Sequence, residues 1–245
     1  MSDVTCDDFY DGRLKLYQPA KGFRAGTDSL LLAASLDASF PGEALEMGCG
    51  AGGALLPAAH RLEKARFTGL EVDAEMAVLA RRGADANDLS TRVTIAEGSA
   101  AHLDHAWQNK FDLVFSNPPF FETGTIQAPG AGKETAYLED VPLKHWINAM
   151  LFALRPRGTF MMVHRAADLA RILSLIERQS GEITVLPVHS YPGAEAKRVL
   201  VRARKALRSG PMRLLEPKYL YQSKGGERTD WALAMQRDGA GLDWN

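Results

Sequence analysis

The stretch "LEMGCGAGG", Leu45 to Gly53, joins an apolar run to four glycines within six residues. Glycine takes positive φ without strain and lets the backbone approach a ligand closely. Read as Gly48-x-Gly50-x-x-Gly53, the loop has the GxGxxG spacing of a turn between a strand and a helix. A second apolar run ends at Glu71 in "TGLEVD", about 20 residues on, where a carboxylate suits the two hydroxyls of a ribose. Asp73 competes for that role and is equally suited to cap the helix "DAEMAVLARR". The spacing by itself leaves a dinucleotide-binding oxidoreductase open.

Outward from this loop the chain alternates. Strands are expected at Ala44–Met47, Arg66–Glu71, Val93–Ala96, Phe111–Ser116, Gly158–Val163, Glu182–Val188 and Arg198–Arg204. Helices are expected at Gly52–Arg61, Ala74–Ala86, Leu143–Leu154 and Ala167–Arg178, with Thr27–Leu36 ahead of the first strand. Such alternation implies an α/β fold, a mostly parallel sheet with helices on both faces and ligands beyond the carboxyl ends of the strands. The length of 245 residues suits one domain over 1–245, with residues 1–40 as an amino-terminal helical cap packed on it.

A net charge of −1 gives no global pull toward nucleic acid or membrane, so local patches decide. Cys6 and Cys49 are the only cysteines and stand far apart, which indicates neither a disulfide framework nor a zinc site. The six histidines, His60, His102, His105, His145, His164 and His189, form no metal constellation; His164, ending "TFMMVHR", is the one to inspect. No metal is expected. No apolar run approaches the roughly 20 residues that span a bilayer, and the acidic start is the reverse of a signal peptide, so a cytoplasmic protein is expected.

The fourth strand runs into "NPPF". Consider methyl transfer from a sulfonium to a flat, conjugated amine such as the exocyclic nitrogen of adenine, whose lone pair is delocalised into the ring. The Asn117 carboxamide oxygen and the Pro118 carbonyl can accept its two N–H bonds and favour a pyramidal nitrogen. Pro118 and Pro119 hold those acceptors rigidly, since proline fixes φ and offers no N–H. Phe120 offers a face for a flipped base, a stack contributing on the order of 1–3 kcal/mol. No strong base is needed, because the amine becomes acidic only after methylation.

Glu46-x-Gly48-x-Gly50-x-Gly52 resembles the first motif of class I S-adenosylmethionine-dependent methyltransferases, and "NPPF" resembles the motif of their amino-methyltransferases. "LKLYQPAKGFRAGTDSLLLAASL", Leu14 to Leu36, and "AKRVLVRARKALRSGPMRLLEPKYLY" extend the resemblance to the bacterial family of tRNA(Val) adenine-37 N6-methyltransferases over most of the chain. It implies a Rossmann-like seven-stranded sheet, mostly parallel, whose seventh strand is antiparallel. It also implies S-adenosyl-L-methionine as cofactor. By the same resemblance Glu46, Gly48, Gly50, Gly52 and Asn117 line the cofactor site, Glu71 holds the ribose and Ser99 stands beside the adenine. Many relatives have an acidic residue where Ser99 stands, so that contact loses its charge assistance. Arg24 and Thr27, with Gly26 and Asp28, are expected near the methionine end, although Thr27 and Asp28 equally suit a helix cap. Asn117, Pro118, Pro119 and Phe120 form the amine site.

The region from Glu195 to Lys224 is strongly basic. Alternation in "RVLVRAR" sets Arg198, Arg202 and Arg204 on one strand face and Val199, Val201 and Ala203 on the other. With Lys197 and Lys205, this stripe is expected to contact RNA phosphates, most simply those of a tRNA, the alternative being a solvated surface. The long glycine-rich loop Glu122 to Asp140 is expected to close over the flipped base, with Lys133 available for phosphate, the alternative being a tolerated surface insertion. Three other functions remain open: methylation of a protein glutamine amide, methylation of guanine N2 in ribosomal RNA, and RNA binding without turnover.

Overall fold

The computed structural model describes residues 3–22, 24–119 and 141–244. Strands β1 (Val4–Phe9) and β2 (Leu14–Pro19) form an antiparallel hairpin. Helix α1 (Thr27–Ala34) follows, and then β3 (Glu43–Met47), α2 (Leu55–Arg61), β4 (Arg66–Glu71), α3 (Ala74–Ala86), β5 (Val93–Glu97) and β6 (Phe111–Ser116). Beyond the "NPPF" motif come α4 (Leu143–Ala153), β7 (Leu154–Arg165), α5 (Leu169–Ile176), β8 (Ser180–His189) and β9 (Ala196–Lys205). Two short strands, β10 (Arg213–Leu214) and β11 (Lys218–Tyr219), and helix α6 (Asp230–Asp238) complete the order.

The sheet runs β10-β8-β9-β7-β6-β3-β4-β5, with β11 also on β8. Every pairing is parallel except those of β9, which is antiparallel to both β7 and β8. The seven expected strands are β3 to β9, and the antiparallel seventh is β9. The chain leaves β3 for β4 on one side and later returns to β6 on the other. That reversal opens a crevice at the carboxyl ends of β3 and β6.

Two apolar layers cover the sheet. Leu113, Phe115, Met161, Val163 and Leu200 point toward α1, α2, α3 and the hairpin. Val114, Phe160, Met162, Val199, Val201 and Ala203 point toward α4 and α5. The central strands are buried on both faces, which explains their near-continuous apolar runs. Phe67 of β4 and Phe115 of β6 meet edge to face with centroids 6.2 Å apart, a geometry that adds about 0.5–1.5 kcal/mol to area burial.

Two departures from the sequence reading have local causes. The amino-terminal cap, expected to be helical, opens with a hairpin instead. Its turn places Tyr10, Asp11 and Gly12 at positive φ, and Leu14 and Leu16 are fully buried while Lys15 between them is exposed. Asp-Gly between two alternating runs is a strong hairpin signal that the helical reading passed over. Helix α2 begins at Leu55 rather than Gly52, because Gly52 stands at φ +89°, outside the helical region. Helix α6 and the chain's end pack on α1: the Leu242 N–H donates to the Ala34 carbonyl at 2.7 Å and the Trp244 indole N–H to that of Ser35 at 2.8 Å.

Candidate functional site: the glycine loop and the Asn-Pro-Pro turn

The loop after β3 is fixed by its neighbours before any ligand arrives. Gly48 N–H and Cys49 N–H both donate to the Leu70 carbonyl of β4, at 2.8 and 3.0 Å. Gly48, Gly50 and Gly52 all take positive φ, +72°, +55° and +89°. Their surroundings differ. A Cβ built on Gly48 falls 2.7 Å from Cζ2 of Trp146, and one on Gly52 falls 2.9 Å from Leu56 Cγ. At Gly50 nothing among the described residues lies within 4 Å, so a side chain there would have open space around it.

Glu71 ends β4 beneath the loop. Its Oε2 accepts the Gly50 N–H at 2.7 Å and its Oε1 the Asp73 N–H at 2.9 Å. Burial pushes its pKa up, opposed by those N–H groups and that of Val72, while the Asp73 charge adds to the rise. Three N–H groups on about four acceptor sites leave the carboxylate one further position. Asp73, the rival acid, caps α3 by accepting from Glu75 N–H at 2.8 Å and Met76 N–H at 3.3 Å. Glu46 lies deeper, 2% exposed, and Oε2 has no hydrogen-bond partner among the described residues. Burial first, then the Glu71 charge, push its pKa well above 4.5, against the Leu55 N–H. The same surroundings raise the Cys49 thiol, again chiefly through burial.

Ser99 follows Gly98, which is tied to the end of β4. Gly98 N–H donates to the Glu71 carbonyl at 2.9 Å, and Ser99 Oγ accepts the Ala101 N–H at 3.1 Å. Asn117 follows β6, paired in parallel with β3. Its Oδ1 is buried with no hydrogen-bond partner among the described residues. Pro118 is buried and Pro119 exposed; Phe120, Lys133 and the loop Glu122 to Asp140 lie outside the described residues.

Sequence reasoning missed the device that joins the two motifs. Ser116 Oγ donates to the Met47 carbonyl at 2.7 Å and accepts the Trp146 indole N–H at 2.8 Å. Ser116 directly precedes Asn117, and Met47 directly precedes Gly48. The Trp146 ring that anchors this chain is also the one against Gly48. The only signal in the sequence was a serine ending an otherwise apolar strand.

The amino-terminal segment reaches the loop through its backbone. A Cβ on Gly53 would fall 2.6 Å from Ala25 Cβ, so the two segments are in close contact. The Arg24 side chain, expected near the cofactor, turns to the hairpin: it pairs with Asp7 and donates to Thr5 Oγ1 at 2.9 Å and the Pro19 carbonyl at 2.8 Å. Gln18 completes the clamp, bonding Asp7 Oδ2 and accepting the Ala25 N–H, both at 2.6 Å. Neither Thr27 nor Asp28 is the cap; Gly26 holds that position, and Asp28 receives Arg198 Nε at 2.7 Å.

The basic stripe of β9 is divided among local partners. Arg198 is spent on Asp28, and Arg202 lies over the Trp244 ring, 4.6 Å from its centroid. Arg204 Nε donates to the Arg157 carbonyl at 2.7 Å, while Lys205 Nζ donates to Asn109 Oδ1 at 2.8 Å and the Leu154 carbonyl at 2.7 Å. Lys197 is exposed. His164 is buried at the end of β7 with Nδ1 3.1 Å from Asp168 Oδ2, and burial holds its pKa below 6.5 against that carboxylate. Among the described residues no three His, Cys, Asp or Glu stand close enough to hold a metal ion, and no helix is long and apolar enough to cross a membrane.

Similarity to known proteins agrees with this geometry. Residues 44–139 match the family described as Methyltransferase domain. A tRNA1(Val) (adenine(37)-N6)-methyltransferase of Porphyromonas gingivalis is 32% identical over 213 residues, 82% of each chain. One of Shewanella baltica is 26% identical over 73% of this chain and 76% of its own. Among solved structures, a predicted O-methyltransferase of Agrobacterium tumefaciens superposes with a TM-score of 0.73 at 24% identity, covering 89% of this chain and 99% of that one. The T. thermophilus 16S rRNA N2 G1207 methyltransferase, in complex with AdoMet and guanosine, gives 0.55 at 20% identity over 83% and 50%. These two show the class I methyltransferase fold. The chain belongs to the tRNA1(Val) (adenine(37)-N6)-methyltransferase family.

Proposed function

We propose that this chain methylates N6 of an adenine in a tRNA, in the cytoplasm, with Asn117 and Pro118 orienting the amine. The observation that carries the assignment of roles is the buried, unpartnered Asn117 Oδ1 at the carboxyl end of β6. A buried carboxamide oxygen without a donor costs about 1–3 kcal/mol, and an exocyclic amine supplies the missing N–H. The second N–H goes to the Pro118 carbonyl, which the two prolines present rigidly. Accepting both N–H bonds localises the nitrogen lone pair and aims it along the axis of attack.

S-adenosyl-L-methionine fits the residues around Gly50 and, when bound, supplies an electrophilic methyl group on a sulfonium. Gly50 leaves open space among the described residues, Glu71 keeps an acceptor site for a ribose hydroxyl, and Ser99 is the residue assigned to the base. Glu46 acts from below, as a buried group under the loop. The Ser116 bridge keeps Asn117 and Gly48 at a constant separation, which is what near-attack positioning requires. The methylated nitrogen releases its proton to solvent.

Total tRNA from a strain lacking the protein, incubated with labelled cofactor and digested to nucleosides, tests this reading. Label in N6-methyladenosine is expected, falling at least 100-fold with Asn117→Ala, the loss typical of removing one such oriented group. Label in N2-methylguanosine or in protein refutes the assignment of the target.

A further inference from the structure

A cavity of about 560 Å³ lies on the α1 face of the sheet, away from the glycine loop. Its floor includes Leu113, Thr159 and Thr184, and Arg202, Arg204, Arg208 and Arg213 line it. Leu113 is four residues before Asn117 on β6, so the floor is about 13 Å along the strand from the amine site.

Four guanidinium groups here face only two carboxylates, Asp37 and Glu182. Asp37 Oδ1 is already engaged by the Ser39 N–H at 2.8 Å and hydroxyl at 2.7 Å. Arg204 is bonded through Nε, and Arg208 and Arg213 make no side-chain hydrogen bond or ion pair among the described residues. Arg202 is set in place by the Trp244 ring, itself tied to the Ser35 carbonyl. Burial lowers the Arg202 pKa from its ordinary value, and the Arg213 and Arg204 charges push the same way against Glu182 and Asp37. Guanidinium forks match phosphate oxygens two at a time, and a phosphate would relieve this mutual repulsion.

We propose that this cavity binds a phosphate group, as a second site separate from the one that holds the amine. Phosphate reaches it either on the backbone of the substrate RNA or on a free phosphorylated small molecule. The RNA source rests on the function proposed above; phosphate binding itself does not.

Arg208→Gln, Arg213→Gln and the double variant test it, since both side chains are exposed, and thermal unfolding of each variant checks that its fold is intact. Two measurements are made on the full chain: tRNA affinity across a salt series, and phosphorus-31 line broadening of inorganic phosphate at millimolar concentration. The double variant is expected to lose the line broadening. If RNA is the source, the slope of log affinity against log salt also falls by about 0.7–0.9 per phosphate, with affinity down about tenfold and kcat at saturation unchanged. Lost broadening with an unchanged slope assigns the cavity to a small phosphorylated ligand. Broadening and slope both like wild type overturn the proposal. Absence of tRNA methylation by wild type, with phosphate binding intact, counts against the function alone.

Discussion

Gly48→Ala and Gly50→Ala impose the same backbone strain at two points of one loop whose surroundings differ. Left-handed backbone costs an alanine roughly 1–2 kcal/mol. At Gly50 the new methyl meets nothing among the described residues within 4 Å, so strain is the whole expected loss of stability. At Gly48 the methyl falls 2.7 and 2.9 Å from Cζ2 and Cη2 of Trp146. Overpacking then adds about 1–3 kcal/mol, for a total of roughly 2–5 kcal/mol. Phenylalanine lacks both of those ring carbons. Gly48→Ala combined with Trp146→Phe should therefore recover the overpacking part, a favourable coupling of about 1–3 kcal/mol in a double-mutant cycle. Urea unfolding of the four proteins, compared by midpoint and slope, measures it. Cofactor titration supplies the second half of the contrast: Gly50→Ala, which loses only the strain part of its stability, should lose more than tenfold in affinity. Additive Gly48 and Trp146 effects, or wild-type affinity in Gly50→Ala, would refute the reasoning.

Ser116→Ala removes the donor to Met47 and the acceptor for Trp146, and should cost about 2–4 kcal/mol of stability in denaturant unfolding and lower kcat more than Trp146→Phe does. The pH dependence of stability isolates Glu46. A carboxyl group whose folded pKa is raised stabilises the fold fully below its ordinary value, 4.5 here, and loses that contribution as pH climbs through the folded value. Glu46→Gln should accordingly flatten, without abolishing, the decline of Tm above that pH, since Glu71 is raised as well. Arg24→Gln breaks the clamp to Asp7 and the Pro19 carbonyl, and hydrogen exchange should speed up in residues 4–19 while α3 and the central sheet stay protected. Equal exchange in the hairpin would mean that the clamp adds nothing.

The periodicities of the seven central strands and the glycines after the first were enough to place the sheet, because burial on both faces leaves an apolar signature that distant contacts need not correct. Glu71, ending β4, and Asn117, just after β6, stood out for a related reason: a polar side chain at the end of a buried strand is out of place unless something meets it. The functional meaning of Asp73 was ambiguous in one dimension and resolved by its two bonds to the start of α3.

What remained hidden depended on partners distant in the chain. Nothing near Ser116 in sequence announces Met47 or Trp146. Arg24 read as a ligand contact until Asp7, seventeen residues earlier, claimed it. The arginines of β9 looked like one charged stripe because alternation fixes only which face a side chain occupies. Which anion, carbonyl or ring it meets is decided by Asp28 of α1, Arg157 of β7, and Trp244 near the chain's end. Local pattern sets backbone class and side-chain face through short-range sterics and burial. The partners of long charged side chains are set only when the folded chain brings remote segments within hydrogen-bond reach.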